Sequence, residues 1–213
     1  MADLDFFFDP VCPWAWITSR WVAEVQQLRQ YDVRWKFISL KFLNEDKMDY
    51  SKMPAGYKDI HAAGTNGLRV AARARAEQGN DACGLVYTAL GTSLHNNQER
   101  EKFVTDPVAH IASFLTSVGL PAQWAESALD DSFDALIREE TELALERTGK
   151  DVGTPILTFH PGAAKEASFF GPVIAEIPRG DAALKLWDAV ETVATTSGMA
   201  ELKRSLRSRP NFN

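Results

Sequence analysis

Strand-forming sequence lies near the two ends of this 213-residue chain, and the long stretch between them reads as helix. Leu4, Phe6, Phe7 and Phe8 make an apolar run without alternation, which suits a strand covered on both faces. From Pro13 to Gln30, Ile17, Trp21, Val25 and Leu28 recur at helical spacing, while Arg20, Gln26, Gln27 and Arg29 lie elsewhere around that helix. Val33, Trp35 and Phe37 then alternate with Arg34 and Lys36, a strand with one more polar face. Two strands joined by a helix predict a right-handed crossover and parallel pairing. From about Asn44 to Gly149 the pattern is Ala- and Leu-rich helix, over Leu68 to Gln78, Ala82 to Leu94, Pro107 to Val118 and Ser132 to Arg147. Gly64, Gly79, Gly119 and Gly149 punctuate it, and Gly119 with Pro121 is a clear helix stop. Four or five helices and little or no strand are expected there. Strand chemistry returns at Pro155 to Phe159 and Ala167 to Phe170, joined by a turn around Pro161-Gly162, which predicts a hairpin. A helix over Asp181 to Thr196 buries Ala183, Leu186, Trp187 and Val190, and a last helix is expected from Met199 to Leu206.

Composition narrows the function classes. Hydrophobic residues make up 45%, enough for a sizeable core. A net charge of −6 argues against nucleic acid or an anionic membrane as the main partner. No apolar run reaches the ~18 residues of a membrane span. Met1 to Asp5 lacks the basic and small-residue marks of a secretory signal, so a cytoplasmic location is expected. Only Cys12 and Cys83 are present, which excludes a disulfide framework and fits a reducing compartment. No Gly-rich phosphate loop and no zinc spacing occur, so neither a dinucleotide nor a metal is expected. The acidic stretch from Asp130 to Glu142 reads as the solvated face of an amphipathic helix.

The reactive candidate is Cys12 in Cys12-Pro13-Trp14-Ala15. A cysteine just before a helix, with proline at the first helical position, lies at the positive end of the helix dipole. That placement favours thiolate and hence attack on sulfur, so an acidic thiol is expected. Attack on a disulfide leaves a mixed disulfide on Cys12. In a Cys-x-x-Cys motif the second cysteine resolves that adduct; here the position holds Ala15. Resolution must then come from a second molecule, most simply a low-molecular-weight thiol. An alanine at this position is also what a deliberate knockout of a resolving cysteine leaves. Cys83, in the helical middle between Ala82 and Gly84, reads as a structural cysteine.

The order β-α-β, helices, β-β-α resembles an α/β thioredoxin fold interrupted by an all-helical domain, as in the DsbA superfamily. The expected organisation is a thioredoxin-fold N-terminal half over 1–45, a helical insertion over 46–149, and a C-terminal half with terminal helices over 150–213. More narrowly, Phe8-Asp9-Pro10-Val11-Cys12-Pro13-Trp14, Trp16 to Trp21, Leu43-Asn44-Glu45, Asp151 to Pro155, Phe169 to Pro172 and Ile177 to Gly180 resemble the actinobacterial mycothiol-dependent nitroreductases and DsbA-like mycoredoxins. Those relatives commonly carry Cys-Pro-Trp-Cys, so Ala15 is a departure. The resemblance implies a monothiol oxidoreductase with mycothiol as co-substrate and no tightly bound cofactor. It would reduce mixed disulfides or nitroaromatics. A second class, thiol transferases or isomerases like the kappa-class glutathione transferases, shares the interrupted fold but typically has serine at the active position. A homodimer is left open.

Further site candidates follow. The resemblance implies that Thr154-Pro155 is held cis beside Cys12, where its backbone docks a thiol or substrate strand. Trp14, in the first helical turn, is placed to stack a flat ligand, and Trp16 is either a ligand contact or core. Parallel strands end at one sheet edge, so the loop bearing Asn44 should open near Cys12. Tyr57 and His95 lie in the insert that roofs the site in DsbA-like proteins; a histidine near a thiolate could tune it.

Overall fold

The computed structural model describes residues 2–212. Strand β1 (Leu4–Phe8) is wholly buried, as its unbroken apolar run requires, and pairs in parallel with β2 (Val33–Phe37), Leu4 opposite Val33 and Phe8 opposite Phe37. Helix α1 (Pro13–Leu28) makes the crossover. On its other side β1 pairs antiparallel with β3 (Ile156–Phe159), which pairs antiparallel with β4 (Ala167–Phe170). The sheet order is β2-β1-β3-β4, so the first strand of the chain is central and the last is an edge. This is the α/β thioredoxin arrangement with helices between its halves.

Between β2 and β3 lie α2 (Leu40–Asn44), α3 (Tyr57–Gly91), α4 (Arg100–Thr105), α5 (Pro107–Ser117) and α6 (Asp134–Thr148); α7 (Gly180–Thr195) follows β4. The helices predicted over Leu68–Gln78 and Ala82–Leu94 are both present: α3 is two helices, the first already starting at Tyr57 and the second ending at Gly91, that meet across a kink. The kink is at Gly79, whose φ of 83° is a left-handed value that glycine tolerates best. A π-helical turn, Thr92–Asn96, continues the second helix. No helix among the described residues is long and apolar enough to cross a membrane.

Two expectations are corrected. Residues 199–206 form no helix: Leu202 and Leu206 are 74% and 85% exposed, so their periodic pattern meets no apolar surface to pack against. The segment runs on without helix or strand to Phe212. The acidic run is not simply a solvated face either. Glu140 on α6 is buried and accepts from Lys36 Nζ at 2.7 Å, the Phe37 backbone N–H at 2.8 Å and Arg75 Nη1 at 3.2 Å. Asp134 takes a two-pronged hydrogen bond from Arg69 of α3, at 2.7 and 2.8 Å. Glu140 ties α6 and α3 to the edge strand β2 and Asp134 ties α6 to α3, satisfying charges that burial would otherwise penalise.

Candidate active site

The loop after β1 brings Cys12 to the start of α1. Cys12 is the N-cap: its Sγ accepts the backbone N–H of Ala15 at 3.5 Å, meeting one of the donors a helix start leaves unpaired. Pro13 occupies the first helical position, where its missing N–H costs nothing. On the opposite side, Sγ lies 3.5 Å from the carbonyl oxygen of Thr154, to which the thiol donates. The Thr154–Pro155 peptide is cis, and both residues are buried. Cys12, Thr154 and Pro155, from the two halves of the fold, thus form one small cluster.

The protonation state departs from the acidic thiol expected from the helix start. Cys12 is only 5% exposed, and burial pushes its thiol up to about 12. The amides of Ala15 and Trp14 pull downward, but the Asp9 carboxyl adds to the rise. Removal from water disfavours the anion more than the helix start favours it. Burial therefore favours the thiol form of Cys12 at neutral pH.

Asp9 is the residue that sequence reasoning passed over. It is wholly buried at the end of β1, where its Oδ1 accepts Val11 N–H at 3.0 Å and its Oδ2 accepts Leu40 N–H at 2.8 Å. Burial raises its pKa to about 7 against those two hydrogen bonds. A lone acid between an apolar strand and a Pro-containing turn was the available signal. Gly64 of α3 sits directly over this loop; a Cβ there would come within 2.9 Å of Val11 Cγ2 and collide with Asp9 Oδ1.

Trp14 is half-buried at the helix start, whereas Trp16 is 3% exposed and held on every side. Its Nε1 donates to Asn96 Oδ1 at 3.1 Å, its ring stacks on His95 at 5.9 Å, and its far edge lies against Gly91. Trp16 is therefore part of the packing that fixes α1. His95 hydrogen-bonds through Nε2 to the Pro10 carbonyl at 2.8 Å. Burial pulls its pKa down to about 4, so the ring is neutral and that nitrogen is the donor. It restrains the loop before Cys12 and brings no positive charge to the thiol.

Asn44 is the last residue of α2, and its Nδ2 donates back to the Leu40 carbonyl at 2.7 Å. Tyr57 opens α3 and packs its ring 4.6 Å from that of His61. Neither is drawn into the Cys12–Thr154 cluster. Cys83 is fully buried on α3 and, like Cys12, is a free thiol. Among the described residues, no group of three or more His, Cys, Asp or Glu side chains converges to hold a metal.

Two solved structures share the fold. The cytosolic disulfide reductase DsbM from Pseudomonas aeruginosa is 16% identical, with a TM-score of 0.54 over 78% of this chain and 88% of that one. A putative protein disulfide isomerase from Nitrosomonas europaea is 14% identical, with a TM-score of 0.55 over 87% of this chain and 95% of that one. In sequence, an uncharacterized protein of Mycobacterium tuberculosis, Rv2286c, is 31% identical over 205 residues, spanning 96% of this chain and 82% of that protein. The family model described as mycothiol-dependent nitroreductase Rv2466c matches residues 11–204, nearly the whole chain and all of the cysteine motif, and the chain belongs to this Rv2466c-like family.

Proposed function

We propose that the chain is a thiol-disulfide oxidoreductase in which Cys12 acts without a resolving partner and mycothiol supplies the electrons. The observation that carries this reading is the placement of Cys12 Sγ between the Ala15 amide of α1 and the Thr154 carbonyl, each 3.5 Å away. One contact stabilises negative charge on sulfur; the other belongs to the segment leading into β3, where an extended thiol substrate would pair. The family match and the disulfide-reductase neighbour support the same chemistry.

In the proposed cycle, admission of substrate and water to the site offsets the desolvation that keeps Cys12 protonated, and its proton leaves to solvent. The Cys12 thiolate attacks the mycothiol-side sulfur of a mixed disulfide. A new S–S bond joins Cys12 to mycothiol, and the substrate thiolate departs and takes up a proton. A second mycothiol thiolate then attacks the mycothiol sulfur of that adduct. The products are mycothiol disulfide and the Cys12 thiolate, so one disulfide is reduced for each one formed. Ala15, with no sulfur, contributes only its backbone N–H.

A second reading, mycothiol-dependent reduction of nitroaromatics, is supported by the family description and by the half-buried Trp14 indole at the site's edge. Two thiols would supply the electron pair that converts a nitro group to a nitroso group and water.

The test is intact-protein mass spectrometry after exposure to mycothiol disulfide. One mycothiol moiety on Cys12, absent in Cys12→Ser and released by mycothiol, is the expected result. Turnover that survives Cys12→Ser, or an adduct confined to Cys83, refutes the mechanism.

A further inference from the structure

A cavity of about 280 Å³ opens along α1 beyond Trp16, between the π-helical turn and the segment that leads into α7. Its lining includes Trp16, Arg20, Thr92, Asn96, Arg179 and Phe212. Arg20 is its distinctive member. The guanidinium lies 4.2 Å above the Trp16 ring and 6.0 Å from that of Tyr87, with Nε donating to Ser19 Oγ at 3.2 Å and Nη1 to Thr88 Oγ1 at 3.1 Å. Among the described residues no carboxylate pairs with it, and Nη2 has no hydrogen-bond partner. Burial, with Arg179 adding to the effect, pulls its pKa down to about 10.

Arg179 itself is answered. Its Nη1 meets Glu24 Oε2 at 3.0 Å, and Glu24 also accepts the Gly180 N–H. Among the described residues, one positive charge is therefore left without a counter-ion at a half-buried position. A guanidinium in that state is uncommon, because desolvation without pairing is costly. The cavity wall is specialised in a second way: Thr92 and Asn96 come from a π-helical turn, a rare conformation that recurs at functional sites. Asn96 is held from both sides, accepting from Trp16 Nε1 and donating to the Phe212 carbonyl at 2.8 Å. Trp16, with Arg20 over its ring and His95 stacked on it, is 3% exposed, so the cavity wall offers the Arg20 N–H donors beside a partly exposed Phe212.

We propose that this cavity binds a small organic carboxylate with a planar apolar body, the body against Phe212 and the carboxylate on Arg20. Planar guanidinium matches carboxylate geometry, and the exchange of water for a charge-assisted pair supplies the missing anion. Arg20 lies eight residues beyond Cys12, about 12 Å along the helix axis at 1.5 Å per residue. Where Cys12 acts as proposed above, the carboxylate belongs to the oxidised substrate, whose sulfur reaches Cys12 from this anchor.

Benzoate tests the site without any thiol chemistry, with benzamide as its neutral isostere. In the full chain, benzoate should shift the Trp16 indole and Arg20 Nε–H resonances saturably, and benzamide should bind at least tenfold more weakly. Arg20→Met should weaken benzoate at least tenfold. Asn96→Asp, which keeps Arg20 and the acceptor for Trp16 but puts a charge on the wall, should weaken benzoate and not benzamide. Equal binding of the two probes, or benzoate binding unchanged in both variants, overturns the site. For the substrate, the ratio of kcat/KM for dithiobis(nitrobenzoate) to that for the neutral dithiodipyridine should fall at least tenfold in Arg20→Met. An unchanged ratio overturns the anchoring role. Benzoate binding that persists in an inert Cys12→Ser protein separates a failure of the redox mechanism from a failure of this site.

Discussion

Replacing Asp9 by Asn isolates the buried carboxyl beside Cys12. Asp9 has an unfolded-state value of 3.8 and is raised to about 7 by burial. A carboxyl whose folded value is raised contributes stability that is fully present below pH 3.8 and lost as the pH rises to about 7. Between pH 5 and 7 the unfolded chain has already released this proton while the folded one retains it, which costs about 1.4 kcal/mol per pH unit. Wild type should therefore lose roughly 3 kcal/mol relative to Asp9→Asn between pH 5 and 8. The variant starts from a deficit of about 1–3 kcal/mol, since an amide NH2, which cannot accept, must face Val11 N–H or Leu40 N–H where a carboxyl oxygen stood. Urea unfolding of both proteins at pH 5 and pH 8 measures the difference. The same substitution removes the negative charge that disfavours the Cys12 thiolate, so alkylation of Cys12 should be faster in Asp9→Asn at pH 8. A stability difference that does not change with pH refutes the assignment of a buried, titrating Asp9.

Three further substitutions probe the supports of the site. Ala15→Cys should give an intramolecular disulfide with Cys12 on oxidation, because residues three apart in a first helical turn lie within the ~4.4–6.8 Å Cα range of such bonds; two free thiols at these positions in the oxidised protein would refute it. Gly91→Ala sets a Cβ 2.8 Å from Trp16 Cδ2, and overpacking of about 1–3 kcal/mol should exceed the ~1 kcal/mol helix-propensity gain. Its Tm should fall by a few degrees, and an unchanged Tm means the indole yields. Glu140→Ala leaves Lys36, Arg75 and the Phe37 N–H without their shared acceptor, for about 3–5 kcal/mol in denaturant unfolding. A loss under about 1 kcal/mol would mean that water replaces the carboxylate.

Local patterns were readable where local chemistry decides. The unbroken run Leu4–Phe8, the alternation Val33–Phe37 and the stripe through Trp21 each specify an element without reference to the rest of the chain. The helix cap at Cys12 was equally legible, since Pro13 and the following apolar spacing mark it. Its protonation state was not, because burial and the Asp9 charge arise only on folding. Glu140 looked like one more solvated acid until Lys36 and Arg75 met it from two other elements. The stripe of Leu202 and Leu206 had the right spacing and no surface to cover. Trp16 could not be assigned from sequence, since its surroundings are a π-helical turn and a glycine far along the chain.

Gly64 and Gly91 lie toward opposite ends of α3, and each admits a part of the cysteine loop or its helix where no side chain would fit. The two helices that meet at Gly79 therefore each hold one part of the motif, the first Asp9–Val11 at Gly64 and the second Trp16 at Gly91. The helical middle cannot be regarded as an ornament on an autonomous catalytic core. Excision would uncover the motif and loosen it together, and variation that shifts either helix of the pair would reach the sulfur.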